Sequence, residues 1–423
     1  MSQINKVFAR QVFDSRGYPT VEAEVHTKDG VFSAIVPSGT SAGKHEAIEL
    51  RDGEKEFFGK GVKKAVSNVN ELISKELNGK DPANQKEIDS IMIGLDGTNN
   101  KSALGANAML SVSMACTRAG AAANEKSLYE HIAHLAENKN ILLPSPMMVL
   151  ISGGAHADKS TDLQEFMIMP NGAKSFSEAM QFGVETYHSL AIILKKQGMH
   201  TNVGKEGSFA PTISNNEKAL DLIVNAIEEA GYSAGKDIAI TIDAAANEFF
   251  ENEKYFFKSE NKKLSAGELI DYYNELIAKY PIVSIEDGFA EDDWNAFSEF
   301  TKKVGDKIQV MGDDLLVTNV TRIKKGIEEK ACNALLLKLN QIGTVIEALD
   351  AAELAFENNW KVCVSHRSGD TEDSFIADLA CGIGCGQIKT GAPARSERTA
   401  KYNQLLRIEE KIGNNTIFKG KIF

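Results

Sequence analysis

Six ionisable residues follow apolar runs in the second half of the sequence, at successive spacings of 43, 27, 25, 28 and 23 residues. In a parallel barrel the carboxyl ends of the strands converge on one face, and each βα unit contributes one such end. We therefore expect these six side chains to surround a single cavity, although they are far apart in sequence. They are Asp243, Glu286, Asp313, Lys338, His366 and Lys389.

Lys338 is the most informative of these residues. It interrupts the apolar run 335–339, where a lysine with only a structural role would have to snorkel out of a buried strand. An aspartate at a strand end, by contrast, often serves only as a turn or helix N-cap residue. The joint pattern is therefore stronger evidence for a site than any single member.

The three carboxylates indicate the kind of chemistry. A site that offers carboxylates without thiolates or a histidine cluster suits a hard cation, Mg²⁺ before Ca²⁺ or Zn²⁺. The two lysines beside the carboxylates point to an anionic substrate. A Mg²⁺ ion together with a lysine base fits removal of a proton next to a carboxylate, because the charge that builds on the enolate oxygens must be stabilised as it forms.

The elements that must position these residues change character along the chain. Short alternating runs in residues 4–36 predict antiparallel strands, and helical periodicity follows over residues 62–135. Beyond these residues, apolar strand-like runs alternate with amphipathic helical stretches, which favours a (β/α)₈-type barrel over a doubly wound sheet. We therefore predict an α/β protein with an α+β cap domain over residues 1–138 and a C-terminal barrel domain over residues 139–423.

Composition argues against several classes of protein. The formal net charge of −12 speaks against nucleic acid or an anionic membrane as the main partner, because such surfaces need concentrated Lys and Arg. The cysteines number 5 and include no CxxC pair, which argues against a disulfide framework or a zinc site. The first residues lack an apolar signal core, and prolines break the most apolar later run, 141–151. We therefore expect a cytoplasmic protein without a membrane span.

Several segments together resemble the enolase family, and the resemblance covers almost the whole chain. It implies a cap domain followed by an eight-stranded barrel whose first units depart from strict βα order. It also implies Mg²⁺-dependent, reversible dehydration of 2-phospho-D-glycerate to phosphoenolpyruvate, with a small phosphorylated acid as substrate. A lysine base with one or two Mg²⁺ ions is the general pattern of the enolase superfamily, so the chemistry above matches a known pattern. The segments are Asp14-Ser15-Arg16-Gly17, Val36-Pro37-Ser38-Gly39, Gly153-Gly154-Ala155-His156-Ala157-Asp158, Leu163-Gln164-Glu165-Phe166, Ser284-Ile285-Glu286-Asp287, Gly312-Asp313-Asp314-Leu315, Asn340-Gln341-Ile342-Gly343 and Ser365-His366-Arg367-Ser368-Gly369.

The resemblance implies catalytic and metal-binding roles for individual residues. Lys338 would take the C2 proton, and Glu206 with Glu165 would assist departure of the C3 hydroxyl as water. Two Mg²⁺ ions are implied for each active site. The first would be bound beside the substrate carboxylate by Asp243, Glu286 and Asp313, and the second by Ser41 in the closing loop 38–43.

The resemblance also implies a set of residues that contact the substrate. Lys389 would hold the carboxylate region, and Arg367 with Ser368 would hold the phosphate. The carboxylates of Glu165, Glu286 and Asp313 and the hydroxyl of Ser41 would contact the substrate as well. The remaining lining residues would be His156, Gln164 and His366.

Departures from the family pattern cluster near the expected site. Ser152 stands where Asn is usual, and Ala42 stands where Thr is usual in the closing loop. The stretch that usually reads Gly-Asp-Glu-Gly-Gly contains Lys205 and Ser208 instead. Lys205 is expected to favour ionised Glu206 and so to lower its pKa. Alternatively, Lys205 points to solvent and only reshapes the loop together with Ser208.

The resemblance further implies a homodimer, or a higher assembly of dimers, paired through the cap domain. Glu22 would pair with Arg407, and Arg10 with Glu410, across subunits. Two other functions stay open at this point: a diverged enolase-superfamily lyase that acts on another acid, and a catalytically weak enolase paralogue with a binding role. The first would lose phosphate-binding residues and the second would lose metal or base residues, yet the sequence contains both sets.

Overall fold

The protein, described here by a computed structural model that covers residues 2–40, 43–53, 55–157 and 160–421, begins with a three-stranded antiparallel sheet. Alternate residues of its central strand, such as Val21, Ala23 and Val25, are fully buried, as the period of two in the sequence requires. The antiparallel strands predicted for residues 4–36 are therefore confirmed. They are β1 (Lys6–Phe13), β2 (Pro19–Thr27) and β3 (Gly30–Ile35).

Helices cover one face of this sheet. The central helix α4 is rich in Ala, Ser and Gly and buried along most of its length, because small side chains let a helix lie close to the strands. Helix α3 begins at the N-cap Asn84 and ends at Gly97, whose φ of 67° suits a left-handed helix stop. The helices are α1 (Lys63–Ser67), a π-helical turn (Asn68–Ile73), α2 (Ser74–Leu77), α3 (Gln85–Asp96), α4 (Ala106–Ala123) and α5 (Leu128–Leu135).

The remaining strands form a closed barrel and two small additions. Eight strands close the barrel, in the order β4, β5, β6, β10, β11, β12, β13 and β14, with β14 pairing back onto β4. The strand β15 pairs with β4, and β7 to β9 form a separate antiparallel sheet. The strands are β4 (Leu143–Ser152), β5 (Glu165–Met169), β6 (Ala239–Asp243), β7 (Phe250–Glu251), β8 (Lys254–Phe257), β9 (Lys262–Leu264), β10 (Ile282–Glu286), β11 (Gln309–Gly312), β12 (Ala334–Leu337), β13 (Lys361–Ser365), β14 (Gln387–Lys389) and β15 (Phe418–Lys419).

One barrel strand runs against the others. The strand β5 is antiparallel to both of its neighbours, β4 and β6, whereas the other barrel pairs are parallel. In its described residues, the connection from β4 to β5 contains a single short helical turn, Gly154–His156. The predicted fold class, an α+β cap with an eight-stranded barrel that departs from strict βα order in its first units, is confirmed.

Helices follow most of the barrel strands, and polar caps set where several of these helices begin. The helix Ala266–Lys279, for example, begins where it does because Ser265 and Glu268 form a capping box. The barrel-domain helices are α6 (Phe176–Lys196), α7 (Asn216–Glu229), α8 (Ala266–Lys279), α9 (Trp294–Val304), α10 (Val320–Glu328), α11 (Leu339–Ile342), α12 (Val345–Glu357), α13 (Phe375–Gly382) and α14 (Ser396–Ile412). Single helical turns occur at Gly154–His156, Ala246–Phe249 and Gly413–Asn415, whereas Glu56–Gly59 is an irregular turn in which Phe57 and Phe58 have positive φ. No helix in the described part of the chain is long and apolar enough to cross a membrane.

The barrel interior is a packed core. Its strands direct buried methionine and aliphatic side chains inward, and Gln309 and Gln387 exchange amide hydrogen bonds of 3.1 and 3.0 Å. Because the interior is filled, polar chemistry is confined to the ends of the strands. The inward cluster contains Met147, Val149, Met167, Met169, Met311, Ala334, Leu336 and Cys363.

An ion pair whose carboxylate side chain is almost fully buried connects the cap to the barrel. Arg118 of α4 donates to both carboxylate oxygens of Asp373 at 2.8 and 2.6 Å. Asp373 also accepts from the backbone N–H of Ile35 at 3.0 Å and of Phe375 at 2.8 Å. Burial alone would raise the pKa of Asp373, but the Arg118 guanidinium holds it below its ordinary value. One carboxylate therefore ties α4 and β3 to the start of α13.

Asp373→Ala is expected to lower the free energy of unfolding at neutral pH by about 3 kcal/mol, because Arg118 and two backbone N–H groups lose their acceptor. The depressed pKa of Asp373 means that its stabilisation is present above the pKa of an unfolded aspartate. That stabilisation is lost as the pH falls through the folded pKa, so the difference from the parent should shrink at acidic pH. Urea denaturation of the parent and the variant at neutral and at acidic pH measures this difference in the free energy of unfolding.

Asp271→Ala is the matched control, because Asp271 pairs with Lys303 at 2.7 Å on the protein surface. Its loss is expected to cost less than about 1 kcal/mol. Equal losses in the two variants would contradict a special role for the buried pair.

Candidate active site

The six strand-end residues expected from the sequence all lie at the carboxyl-terminal ends of barrel strands, here called the rim. Five of them line one polar pocket, and the sixth, Glu286, contacts Lys389. Glu165 reaches the same rim from the opposite direction, because it is the first residue of the antiparallel strand β5. Three of the six end a strand and three directly follow one: Asp243, Glu286 and Lys389, then Asp313, Lys338 and His366.

Three carboxylates surround the ammonium group of Lys389. Its Nζ lies 3.0 Å from Glu165 Oε2, 2.9 Å from Asp243 Oδ2 and 2.8 Å from both oxygens of Glu286. Burial would lower the pKa of Lys389, but these carboxylates raise it well above its ordinary value. Burial, followed by the charge of Asp243, raises the pKa of Glu286. The three buried carboxylates therefore form an acidic site that binds a positive charge.

Lys338 contacts Asp313 on the next strand. Lys338 Nζ donates to Asp313 Oδ2, and Gln341 Nε2 donates to Asp313 Oδ1 at 2.8 Å. Burial would lower the pKa of Lys338, but the Asp313 carboxylate raises it. Asp287 accepts from the backbone N–H groups of both Asp313 and Asp314 at 2.8 Å. The lysine and its carboxylate partner are thus fixed by side-chain and backbone contacts together.

A second cluster of ionisable groups contains Glu165 and Glu206. His156 Nδ1 lies 3.2 Å from Glu165 Oε1 and 3.8 Å from Glu206 Oε1. Burial would lower the pKa of His156, but Glu206 and Glu165 raise it. Burial would raise the pKa of Glu206, whereas His156, Arg398 and Lys389 together lower it. Protonated His156 and ionised Glu206 therefore stabilise each other.

His366 faces Glu206 from another direction. The fully buried guanidinium of Arg398 donates to His366 Nδ1 at 2.6 Å, so the ring hydrogen belongs on Nε2. His366 Nε2 lies 3.4 Å from Glu206 Oε2. Burial, followed by the positive charge of Arg398, lowers the pKa of His366 well below its ordinary value. His366 is therefore neutral, and its Nε2–H lies on the side of Glu206 Oε2, which has no hydrogen-bond partner within the described chain.

Lys205, adjacent to Glu206, is exposed, whereas Glu206 is buried. The two side chains therefore point to opposite sides of the segment. This placement agrees with the alternative in which Lys205 faces solvent, and the charges that lower the pKa of Glu206 belong to buried groups.

Arg367 and Ser368 lie at one end of the pocket beside residues of the cap. Arg367 donates to both carboxylate oxygens of Glu46 at 2.9 and 3.1 Å and to Asn340 Oδ1 at 3.1 Å. Ser368 Oγ lies 2.7 Å from Thr40 Oγ1 and accepts from the Thr40 backbone N–H at 3.0 Å. The Arg367 guanidinium thus already binds one anionic group, the Glu46 carboxylate. Ser41 and Ala42 of the closing loop lie outside the described residues.

Two tight groups of possible metal ligands occur among the described residues: His156 with Glu165 and Glu206, and Asp287 with Asp313 and Asp314. The expected triad is not one of them, because Asp243 and Glu286 are turned to Lys389 while Asp313 is turned to Lys338. Its donors are nevertheless all buried carboxylate oxygens, which suit a hard divalent cation. The buried Gln164 Oε1, in the same pocket, has no hydrogen-bond partner within the described chain.

Several residues of the site were not identified from the sequence. Asp287 and Asp314 are the second members of the acidic doublets at the ends of β10 and β11, so the doublets themselves carried a signal. Thr40 lies within the closing loop and Glu46 follows it, and neither residue has a distinguishing pattern in the sequence. Arg398, in the first turn of α14, looks in sequence like an ordinary surface arginine.

Comparison with known proteins agrees with this geometry. The sequence model described as the enolase N-terminal domain matches residues 4–132, and that described as the enolase C-terminal TIM barrel domain matches residues 140–423. The chain is 53% identical over 423 residues to Enolase 1 of Methanospirillum hungatei, covering 100% of this chain and 98% of that protein. Two domain models that span nearly the whole sequence, and a full-length relative at this identity, show that the chain belongs to the enolase family of lyases.

Proposed function

We propose that the chain catalyses the reversible, Mg²⁺-dependent dehydration of 2-phospho-D-glycerate to phosphoenolpyruvate. The observation that carries this proposal is the opposition of two groups across the rim. Lys338 follows β12 and Glu165 begins β5, and these strands are separated by four steps in either direction around the eight-stranded barrel. A base and an acid on opposite sides of a bound substrate suit a reaction that removes a proton from one carbon and a hydroxyl from the next.

In the proposed reaction, the Nζ of neutral Lys338 takes the proton from C2. Glu206 and Glu165, whose carboxyl groups are hydrogen-bonded, share one proton in the substrate complex and give it to the C3 hydroxyl, which leaves as water while the C2–C3 double bond forms. One proton is gained by Lys338 and one is lost by the glutamate pair, so the reverse hydration returns both. His366 Nε2 lies 3.4 Å from Glu206 Oε2 and would donate to this carboxylate once the proton has left.

The substrate's two anionic groups have separate partners in this proposal. Arg367 and Ser368 hold the phosphate, in the region where Arg367 contacts the carboxylate of Glu46. Lys389 holds the carboxylate end. His156 and Gln164 line the wall between them, and the unpaired Gln164 Oε1 suits a substrate hydroxyl as donor.

The buried carboxylates of Asp243, Glu286 and Asp313 are the proposed ligands for Mg²⁺. A bound cation would stabilise negative charge on the enolate oxygens and would lower the pKa of the nearby lysine by its own charge. Asp243 and Glu286 already accept hydrogen bonds from the Lys389 ammonium, which supports the proposal that a positive charge can bind here. A second Mg²⁺ ion bound with the help of Ser41 completes the proposal.

We further propose a cytoplasmic location and a division between residues 138 and 139. The five cysteines are free and buried, which fits a reducing compartment. The division falls in the segment between α5 and β4. A small phosphorylated acid as the substrate accords with the anionic contacts described above.

We also propose a homodimer formed through the cap. Within one chain Arg10 contacts Glu22 and, at 2.6 Å, Glu24, and all three side chains remain partly accessible to a partner. Arg407 lines a surface groove near Arg118. Pairing across subunits would therefore exchange the partners of Arg10 and Glu22.

Lys338→Ala is expected to lower kcat by at least about 100-fold, because a positioned general base typically contributes a factor of this size or more. The measurement is the rise in ultraviolet absorbance as phosphoenolpyruvate forms from 2-phosphoglycerate and Mg²⁺, with circular dichroism to check the fold. Near-parent turnover would refute the assignment.

Two comparison variants separate base loss from other effects. Asp313→Asn is expected to shift the Mg²⁺ titration to higher concentration, since it removes one of the charges that hold the cation. Lys324→Ala removes an exposed lysine and is expected to leave activity unchanged.

Lys205→Asp is expected to leave the dependence of kcat on pH almost unchanged, because solvent and salt screen the exposed side chain. If Lys205 acted directly, aspartate would raise the pKa of Glu206, and the loss of activity on deprotonation of this acid would move to higher pH. His156→Gln provides the contrast, because it removes a positive charge 3.8 Å from Glu206. A shift for Lys205→Asp as large as for His156→Gln would contradict the screening argument.

Light scattering is expected to give a mass of twice the chain mass for the parent protein. Arg407→Glu should weaken association, and Arg407→Glu combined with Glu22→Arg should partly restore it, since a two-fold contact uses each pair twice. Glu22→Arg alone measures the separate effect of breaking the pair with Arg10. A monomeric parent would reject the proposed dimer.

A further inference from the structure

Two departures from the family pattern, Ser152 and Ser208, contact each other. Their hydroxyl groups lie 2.5 Å apart, and both residues are fully buried at 0% exposure. Resting on the function proposed above, we propose that this pair acts as a unit that positions Glu206. Ser152 and Ser208 are then positioning residues for the acid, and the two departures are one coupled change.

Glu206 sits in a tight turn formed by residues 204–208, here called the Glu206 turn. The backbone N–H of Gly204 donates to the carbonyl of Ser208 at 2.8 Å, and that of Gly207 donates to the carbonyl of Gly204 at 3.2 Å. Gly207 has a φ of 85°, which a residue with a side chain rarely adopts. The direction of the Glu206 side chain therefore depends on where this small turn is held.

Backbone carbonyls of the turn are held by surrounding elements. The carbonyl of Glu206 accepts from Ala392 N–H at 3.0 Å, that of Gly207 from Tyr187 O–H at 2.8 Å, and that of Lys205 from Arg398 at 3.2 Å. These bonds fix one side of the turn to α6, α14 and the segment after β14. The hydroxyl of Ser152 adds a contact to the side chain at position 208.

Ser152 links this turn to the strand pair that positions the other glutamate. It is the last residue of β4, its N–H donates to the carbonyl of Phe209 at 2.9 Å, and it pairs in register with Glu165 on β5. Glu165 and Glu206 share His156 as a neighbour, at 3.2 and 3.8 Å. The Ser152 contact therefore sets the position of one carboxylate relative to the other.

The space around the pair leaves little freedom for a single change. A Cβ added at Gly204 would lie 3.4 Å from the carbonyl oxygen of His156 and 3.5 Å from Ser152 Oγ, which are ordinary contact distances, so the turn lies directly beside Ser152. Asparagine at position 152, the usual residue, needs room that the Ser208 side chain occupies. Glycine at position 208 leaves the Ser152 hydroxyl buried without this partner, which is unfavourable.

The test is a cycle of reversions: Ser152→Asn, Ser208→Gly and the double variant. Each is assayed for kcat, KM and the pH dependence of kcat on 2-phosphoglycerate, and for thermal unfolding. We expect Ser152→Asn alone to lower kcat about 10- to 100-fold, because a small displacement of a catalytic group has this effect. The double variant should return to within about threefold of the parent, since neighbouring changes are not additive. KM should change much less than kcat.

A second cycle with Ser152→Ala, Ser208→Ala and the double alanine variant avoids added volume and remains informative if Ser152→Asn does not fold. Either single alanine leaves the remaining buried hydroxyl unpaired, and the double variant removes that hydroxyl as well. The kcat of the double variant should therefore be no lower than that of the less active single variant. Ser111→Ala, which removes a fully buried hydroxyl in α4 bonded to its own helix, is the matched control with unchanged kcat.

Rescue in either cycle supports the pair as a unit. Effects that multiply in the folded variants of both cycles, or changes in thermal stability with unchanged kcat and pH profile, would overturn the inference. An inactive parent would reject the proposed function itself and is recognised before any variant is compared.

Discussion

The contact between the Lys389 ammonium and three buried carboxylates is the interaction on which the arrangement of the pocket depends. Charges removed from water are costly unless they are closely paired, and here strand pairing brings the carboxylates side by side. Ser152, Glu165, Asp243 and Glu286 are successive register partners across β4, β5, β6 and β10. Because β5 is antiparallel to its neighbours, its first residue lies at the rim. Glu165 at the start of β5 therefore lies beside Asp243 at the end of β6, and Glu286 at the end of β10 follows. The backbone thus holds like charges together, and Lys389, from β14, compensates for them.

The cap completes the other end of the pocket, so neither domain contains the whole site. Glu46 and Thr40 of the cap contact Arg367 and Ser368, and Ser38 forms backbone bonds of 2.8 and 2.9 Å with Gly369. Two cap side chains also accept hydrogen bonds from the first backbone N–H groups of α12. Ser113 Oγ accepts from Val345 N–H and the Asp89 carboxylate accepts from Ile346 N–H, both at 3.0 Å. Only the short helix α11 separates Lys338 from α12. The cap therefore supports both the segment that carries the proposed base and the part of the pocket formed by Arg367 and Ser368.

The sequence predicted those parts of the site that depend on strand ends, because the period of the barrel makes them regular. Lys338 stood out because its charge interrupts an apolar run, whereas Asp313 was convincing only as a member of the joint pattern. Arg398 and Glu46 could not be found in this way. Arg398 is fully buried only because α14 packs under the loop after β13, and nothing within its own helix indicates that contact. Asp287 belongs to one of the quoted motifs, but no role was predicted for it. In the structure it has a positive φ of 44°, and its carboxylate accepts from the backbone N–H groups of Asp313 and Asp314 after the next strand.

Glu206 was placed by resemblance, since its turn belongs to no strand or helix, and its surroundings show which positions there can vary. The Glu206 turn is held mainly through backbone carbonyls, and such bonds do not depend on side-chain identity. Position 205 faces solvent, so exchanging aspartate for lysine changes charge without disturbing the turn. Position 208 faces inward and is fully buried, so a new hydroxyl there needs a partner and space. Ser152 supplies both, which explains why two departures far apart in the sequence occur together whereas Lys205 stands alone.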